Sequence, residues 1–529
     1  MSTSQKPDPV LTEVVARYLA LASEEMAATL IALAFSPNIK ERWDCSSAIF
    51  DASGQVIAQA NRVPMHLGSM IGAIEAIRAK YPEDRIAAGD MFLANDPFNG
   101  GGTHLPDLNL IAPVFVAGRI VAFVANIAHH ADVGGMVPGS ESALCTTIYQ
   151  EGLRVPVVRA VRGDEPDADI LDIVLLNSRT PDERMGDLQA QIAANRVGVS
   201  RVAALFRQYP PEGVAACIGH FLEASGRRFA AAVERLPDGV YESEELLDRE
   251  AGEPPARLRL RLAISGGRLH FDFTGTDPQL TGSSRNVPRK AVQATVYAIA
   301  KSLLDPDVPP NSGYYDVIEV ATRPGTIFEP VSPAAVGTRA ITCGVLGDLI
   351  VAAMSQALGE RAMAGSGPHH LVIFAGTDPR HGGYFVDYET IAGGMGARAG
   401  HDGLDAVRVH ASGAANLPVE ALENAYPLRV EQYALRQGSG GEGRRKGGRG
   451  VVRDYRVLAE GITVSLSSER QVRPAPGLAG GADGACGAFL LNPGTEGERR
   501  LPSAAVDLPL GRGDLLRVLT PGGAGFGRP

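Results

Sequence analysis

The sequence predicts an α+β, multidomain protein whose mixed N-terminal region holds a β-hairpin and whose C-terminal third is rich in β-strand. Three observations carry that expectation. At 529 residues the chain is too long for one ordinary core and suits roughly two to four domains. Helical periodicity and strand alternation are mixed in the first half, whereas strand patterns dominate from Pro427 onward. Glycine and proline, at 62 and 36 residues, exceed the roughly 12% of average usage, so tight turns and close backbone approaches should be frequent. The expected division is an N-terminal α/β domain over 1–236, a middle α+β segment over 237–330 and a β-rich domain over 331–529. No internal repeat is evident.

Asp8-Pro9 offers an N-cap followed by proline at the first helical position, and apolar residues recur at helical spacing from Val10 to Leu33. SAIFDASGQVIAQA alternates around Ser53-Gly54 as a hairpin does, and HLGSMIGAIEAIRAKY reads as one helix ending before Pro82. MFLAN, from Met91, is a short buried strand. Helical patterns return in ERMGDLQAQIAANRVGVSRVAALF and from Pro211 to Leu236. RLRLRLAISGGRLHFDFTG, from Arg257 to Gly275, alternates about a Gly-Gly turn and predicts a hairpin with one wet face. Helices are expected near Ala291 to Leu304 and near Leu346 to Leu358.

Composition removes several function classes. Hydrophobic residues make up 45% and charged residues 21%, near globular averages, and no run suggests the roughly twenty apolar residues that span a bilayer. MSTSQKPDPV lacks the features of a secretory signal, so a cytoplasmic address is expected. The net charge of −10 gives no basic footprint for nucleic acid or an anionic membrane. Cys45, Cys145, Cys217, Cys343 and Cys486 form no CxxC, which argues for reduced thiols rather than a zinc knot or a disulfide framework.

The chemistry concentrates between 95 and 135. NDPFNGGGTHLPD places His104 and Asp107 three apart, and AHHADVGG supplies His129, His130 and Asp132. Between them LNLIAPVFV and IVAFVANIA are joined by Ala117-Gly118-Arg119, the pattern of an antiparallel hairpin. Counting outward from Gly118 sets Asp107 opposite His129, so the ends of the two strands bring His104, Asp107 and His129 together. Two imidazoles and a carboxylate suit a catalytic zinc, manganese or iron(II). His130 and Asp132 then serve either to orient those ligands or as a general acid/base pair. The competing expectation is that each histidine is a structural residue at a strand end.

Other motifs are weaker. GSGGEGRRKGGRG, from Gly438 to Gly450, could cradle an anion, but no GxxxxGK[ST] exists in the chain and a solvated basic loop is the better expectation. TPGGAGFG could be a flexible tail or a loop packing near the site. His369-His370 has no carboxylate at ligand spacing, so a structural role is expected. His66 could reach an active site or make a cap or core contact. Cys45 lacks a neighbouring histidine to activate it, Arg42 and Asp44 could bind substrate or pair with each other, and no GxSxG or SxxK signature is present.

The opening DPVLTEVVARYLALASEEMAATLIALAFSPNIKERWDCSSAIFDASGQVIAQANRVPMHLGSM resembles that of the hydantoinase B and oxoprolinase family. So do NDPFNGGGTHLPDL, AHHADVGGMVPGS, YQEGLRVP, NSRTPDERMGDLQAQIAAN, DFTGTDPQ, EVATRPGTIFEPVSPAAVG, YPLRVEQYALRQGSGGEGRRKGGRGVVRDY and TPGGAGFG, in the same order along the whole chain. The resemblance takes in N-methylhydantoinase B-type and oxoprolinase beta portions and the alpha-type subunits of acetone and acetophenone carboxylases. It implies one divalent metal on the positions that match His104, Asp107 and His129, although the glycine run before His104 is one residue longer than the common form. It also implies a hetero-oligomer with an A-type ATPase subunit, in which ATP is used by the partner to phosphorylate a cyclic amide such as hydantoin, N-methylhydantoin, 5-oxoproline or a lactam. This chain then completes the hydrolysis, with His104, Asp107 and His129 on the metal and His130 or Asp132 moving protons. An ATP-dependent carboxylase subunit and a non-catalytic subunit that stabilises the ATPase are the alternatives.

Overall fold

The computed structural model describes residues 8–249, 253–410 and 412–529. It opens with the expected long helix, Pro9–Leu33, whose N-cap Asp8 accepts a hydrogen bond from the Val10 N–H at 2.9 Å. The first sheet contains β1 (Cys45–Asp51), β2 (Val56–Gln59), β3 (Met91–Ala94), β4 (Asp107–Val116), β5 (Arg119–His129), β6 (Val158–Arg162) and β7 (Glu165–Pro166), in the spatial order β2-β1-β5-β4-β3-β6-β7. Every neighbouring pair is antiparallel.

β4 and β5 are the centre of this sheet, and strand alternation gives each face its own core. Leu108, Leu110 and Val124 pack with Leu19 and Met26 of the first helix and with Ile192, Val202 and Val214 of the helices Pro181–Gln208 and Pro211–Val233. Ile111, Phe123, Ala125 and Ile127 face the other way, into a larger core containing the helices Arg289–Leu304 and Arg339–Leu358. That core also takes in a second sheet: β8 (Gly239–Leu247), β9 (Ala256–Ser265), β10 (Arg268–Asp272) and β11 (Ile318–Ala321). β9 and β10 turn at Gly266-Gly267, both at positive φ, as their alternation predicts.

The C-terminal region consists of two sheets. One orders Tyr384–Ile391, His370–Thr377, Ile462–Ser467 and Ala504–Leu510; the other orders Leu428–Leu435, Val451–Val457, Leu515–Leu519, Ala488–Leu491 and Arg499–Leu501. Val372, Phe374, Val464, Tyr455, Phe489 and Val518 fill the shared core.

Two expectations change. The helix over HLGSMIGAIEAIRAKY is two, His66–Met70 and Ala73–Lys80, because Gly72 between them takes φ +76°. The close packing of Gly68, where a Cβ would lie 2.6 Å from the Lys290 carbonyl oxygen, fixes the break against the neighbouring helix. The helix expected from Leu346 begins at Arg339, and with a mean hydropathy of 1.6 it has the length and composition of a membrane span. Its apolar window is 89% buried within the fold, and its Arg339 and Asp348 are both ion-paired, so it serves as a core helix.

The glycine motifs are a packing device. Segment 438–450 lies against 521–527: Gly441 N–H donates to the Gly523 carbonyl and Arg445 pairs with Phe526. A Cβ on Gly447 would sit 1.9 Å from the Gly523 oxygen, and one on Gly522 would sit 1.8 Å from that of Ser439. The backbone of the expected solvated loop is therefore packed, while Arg444, Arg445 and Lys446 stay exposed.

Candidate metal centre

The β4–β5 hairpin turns at Ala117 and Gly118, both at positive φ, and pairs Asp107 with His129. That register puts both side chains on the sheet face shared with Ile111, Phe123 and Ile127. The turn preceding β4 brings in His104, whose ring centroid lies 5.1 Å from that of His129. His104 Nε2 is 3.0 Å from Asp107 Oδ1, so His104 neighbours both of the other expected ligands.

The structure adds a second carboxylate. Glu141 Oε1 lies 3.0 Å from His104 Nδ1 and 3.2 Å from His129 Nε2, and it accepts a hydrogen bond from the Tyr388 hydroxyl at 3.2 Å. One ligand atom each from His104, His129 and Glu141 lies within 4.8 Å of the others, close enough to share an ion, and the expected ligand Asp107 is not in that group. Sequence reasoning missed Glu141 because it is 12 residues from His129 in a loop without periodicity. A signal existed: it is the sole charge between 134 and 149.

Partners from distant segments fix these side chains. His104 Nδ1 lies 3.0 Å from the Gly337 carbonyl oxygen, which leaves Nε2 as the open nitrogen when the ring is neutral. Arg339, at the start of its helix, donates to Asp107 Oδ2 at 2.5 Å and to Thr103 Oγ1 at 2.6 Å. A cation in a first helical turn opposes the helix dipole, so its place is explained by Asp107. Asn38 Nδ2 lies 3.1 Å from His129 Nδ1, and Arg42 donates to Asn38 Oδ1 at 2.5 Å. Arg42 is thus taken up by Asn38, the Tyr388 carbonyl and Thr390 instead of pairing with Asp44. Asp44 instead stands 3.3 Å from His66 Nε2, which is 3.9 Å from Asp107 Oδ1, so His66 does reach the cluster.

All of these groups are buried, and their charges set one another. For His104, burial and Arg339 favour the neutral ring, but Asp107 and Glu141 outweigh both and lift its pKa to about 9. Burial alone would raise Glu141; His104 and His129 hold it down at about 2. Against the same burial, His104 and Arg339 keep Asp107 well below the carboxylate range. His66 and His129 likewise lower Asp44.

A test of whether these residues fit a cation lies in two atoms. His104 Nε2 and Asp107 Oδ1 are 3.0 Å apart, yet neither is in hydrogen-bond geometry with any partner. Buried polar atoms are rarely left so. A ring nitrogen and a carboxylate oxygen converging in this way suit a shared divalent ion once the ring has given up its proton.

His130 and Asp132 do not join the cluster. His130 turns toward the Pro181–Gln208 helix, with Nε2 3.0 Å from Gln191 Oε1, and burial with Arg184 nearby lowers its pKa to about 4. Asp132 accepts from the N–H groups of Gly134, Gly139 and Arg179 and from the Arg179 guanidinium at 2.9 Å, so it organises its loop. His370 is buried against the Glu469 carbonyl and Phe489. Among the described residues all five cysteines are free, and burial raises the Cys45 thiol beyond ordinary reactivity.

Residues 8–529 match the family model described as hydantoinase B/oxoprolinase. The chain belongs to that family. Among hydantoinase B/oxoprolinase relatives, it is 31% identical to the B-type subunit of a putative D-/L-hydantoinase from Pseudomonas sp. (strain NS671), covering 99% of this chain and 91% of that one. It is 32% identical to 5-oxoprolinase 1 of Arabidopsis thaliana over 97% of its own length but 41% of the plant protein, so it corresponds to one part of that longer chain. The solved structure of an ATP-dependent caprolactamase from Pseudomonas jessenii superposes with a TM-score of 0.92 at 27% identity, covering 99% of this chain and 93% of that one. Every residue of the cluster lies inside the family match.

Proposed function

We propose that this chain is the B-type subunit of an ATP-dependent cyclic amide hydrolase, active with an A-type ATPase partner. The partner phosphorylates the ring carbonyl oxygen, which makes the carbon electrophilic and supplies a leaving group; this chain completes the hydrolysis in its buried cluster. The observation that carries the reading is the convergence of His104 Nε2 and Asp107 Oδ1, buried and without hydrogen-bond partners, beside His129 and Glu141. The hydantoinase name of the Pseudomonas relative and the activities named for the plant oxoprolinase and the caprolactamase support the assignment.

One zinc, manganese or iron(II) ion would be held by His104 and His129 with the carboxylates of Asp107 and Glu141, of which Glu141 is the one grouped with both histidines. Such an ion would supply Lewis acidity and lower the pKa of a water toward about 7. The rest belongs to the chain. Gly337 orients His104, Arg339 holds Asp107 and Asn38 holds His129. Burial excludes bulk water, which strengthens each of these interactions. Proton movement falls to His66, which contacts both Asp44 and Asp107, in preference to His130 and Asp132, whose polar contacts lie elsewhere.

The test uses the chain co-purified with its A-type partner, supplied with ATP and hydantoin, 5-oxoproline or caprolactam, with and without His104→Ala. The expected result is ring opening that the variant abolishes, together with one divalent ion per wild-type chain by elemental analysis. Full activity in the variant sinks the proposal and leaves a stabilising subunit. A requirement for bicarbonate identifies a carboxylase instead.

A further inference from the structure

Two motifs that carry the family resemblance, YQEGLRVP and EVATRPGTIFEPVSPAAVG, have no part in the cluster itself, yet the fold brings them together. Thr147 pairs with Ala334, and Ile148 N–H donates to the Pro333 carbonyl at 2.9 Å. The short turn Ile148–Gln150 is closed by a capping box between Thr147 and Gln150. Glu151 follows directly, fully buried, and its Oε1 accepts from the backbone N–H of Val336 at 2.8 Å and of Gly337 at 2.6 Å. The Gly337 carbonyl then meets His104 Nδ1 at 3.0 Å.

We propose that Glu151 is a positioning residue for the metal centre: by holding the backbone at 336–337 it aims the Gly337 carbonyl at His104 and so presents His104 Nε2 to the ion. The inference rests on the cluster being an ion site, as proposed above.

The geometry supports it in three ways. Glycine has the least restricted backbone of any residue, so the direction of the Gly337 carbonyl depends on outside anchors. Glu151 supplies two of these, and the Ser284 hydroxyl supplies a third by accepting from Thr338 N–H at 3.3 Å. A Cβ on Gly337 would lie 3.0 Å from Glu151 Oε1, so a larger residue there would press directly on that carboxyl group. For His104, Nδ1 donating to this fixed acceptor leaves Nε2 free as a lone pair.

The chemistry of the carboxyl group matches an anchor and not a ligand. Burial raises Glu151 to about 8, against the pull of the Gly337 and Val336 amides and of His104, so at neutral pH it is mostly the neutral acid. Its Oε2 is buried without a partner. A neutral acid accepts two amide hydrogen bonds as an amide side chain does, so Glu151→Gln should reproduce it.

Zinc affinity of the metal-free protein, measured by competition with a chelating indicator, tests the inference. Glu151→Ala is expected to weaken binding by about 10- to 100-fold, the range for partners that orient a ligand histidine, while Glu151→Gln stays within about threefold of wild type. If the alanine variant does not fold, Glu151→Met keeps the volume and removes the acceptor. The path is read from double variants. With His104→Ala already present, the Glu151 change should cost less than about twofold, whereas with His129→Ala it should retain its full effect. Wild-type affinity in the Glu151→Ala protein overturns the inference alone, as does an equal loss in both histidine backgrounds. A wild-type chain that binds no zinc, manganese or iron overturns the proposed function and this inference with it.

Discussion

Replacing His104 by glutamine in the metal-free protein should erase a pH dependence that wild type shows. In the folded chain the carboxylates of Asp107 and Glu141 lift His104 to about 9, from the 6.5 of an ordinary histidine. Between those two values the folded state carries a proton that the unfolded state has lost. Stability from this group is therefore complete below pH 6.5 and disappears as pH rises through about 9. A lift of about 2.5 pH units, at ~1.4 kcal/mol each, amounts to about 3–4 kcal/mol. For a cooperative unit of ~200 residues this is roughly 6–16 °C in Tm. Glu151, raised to about 8, and Glu469, raised to about 7, also release protons in this window and tilt the curve the same way. The difference between wild type and His104→Gln removes the Glu469 contribution, and making both proteins in a Glu151→Gln background removes that of Glu151, which His104 itself influences. The measurement is thermal unfolding in EDTA at half-unit steps from pH 6 to 10. Parallel curves for the two proteins would show that His104 is not proton-loaded by its carboxylate neighbours, and the electrostatic account of the cluster would fail. Adding zinc should reverse the wild-type trend, since a ligand histidine must shed that proton and affinity rises with pH.

Arg339→Met leaves the Asp107 carboxylate buried without its cation and should cost about 3–5 kcal/mol in urea unfolding, with Arg339→Lys recovering only part because it lacks the planar fork. Glu141→Gln removes the charge shared by His104 and His129 and should weaken zinc binding more than about tenfold, measured by chelator competition; affinity equal to wild type would exclude Glu141 from the ion's surroundings. Asp132→Asn takes the charged acceptor from Arg179 and its loop amides and should lower stability by about 1.5–3 kcal/mol. Zinc affinity in that variant should stay at the wild-type level, and a large loss would place Asp132 nearer the centre than its contacts do.

The hairpin was readable because strand geometry has a fixed period: once Gly118 is the turn, the partner of Asp107 follows by counting, and the register bears this out. Pro9–Leu33 was equally plain, since cap, proline and periodicity agree, and periodicity alone marked most of Pro181–Gln208. The break at Gly72 was not, because it answers to the packing of a helix more than two hundred residues away. Glu141, Glu151 and Arg339 reach the cluster from loops and from a helix start, where no period links sequence spacing to position. The glycine motifs suggested an anion cradle or a flexible tail because sequence shows the lack of side chains but not what occupies the space they leave; here it is other backbone.

Although the hairpin supplies His104, Asp107 and His129, it does not suffice to build the centre. The counter-charge for Asp107 comes from Arg339, the acceptor for His104 from Gly337, and the hydroxyl on Glu141 from Tyr388, whose ring lies tilted beside His129 with centroids 4.3 Å apart. A fragment ending at residue 236 would retain every candidate ligand, and Asn38 beside His129, yet it would leave Asp107 without its cation and His104 without its acceptor. Ion binding should consequently report completion of the whole chain's folding, appearing late in refolding and lost early when any one of these distant segments is cut.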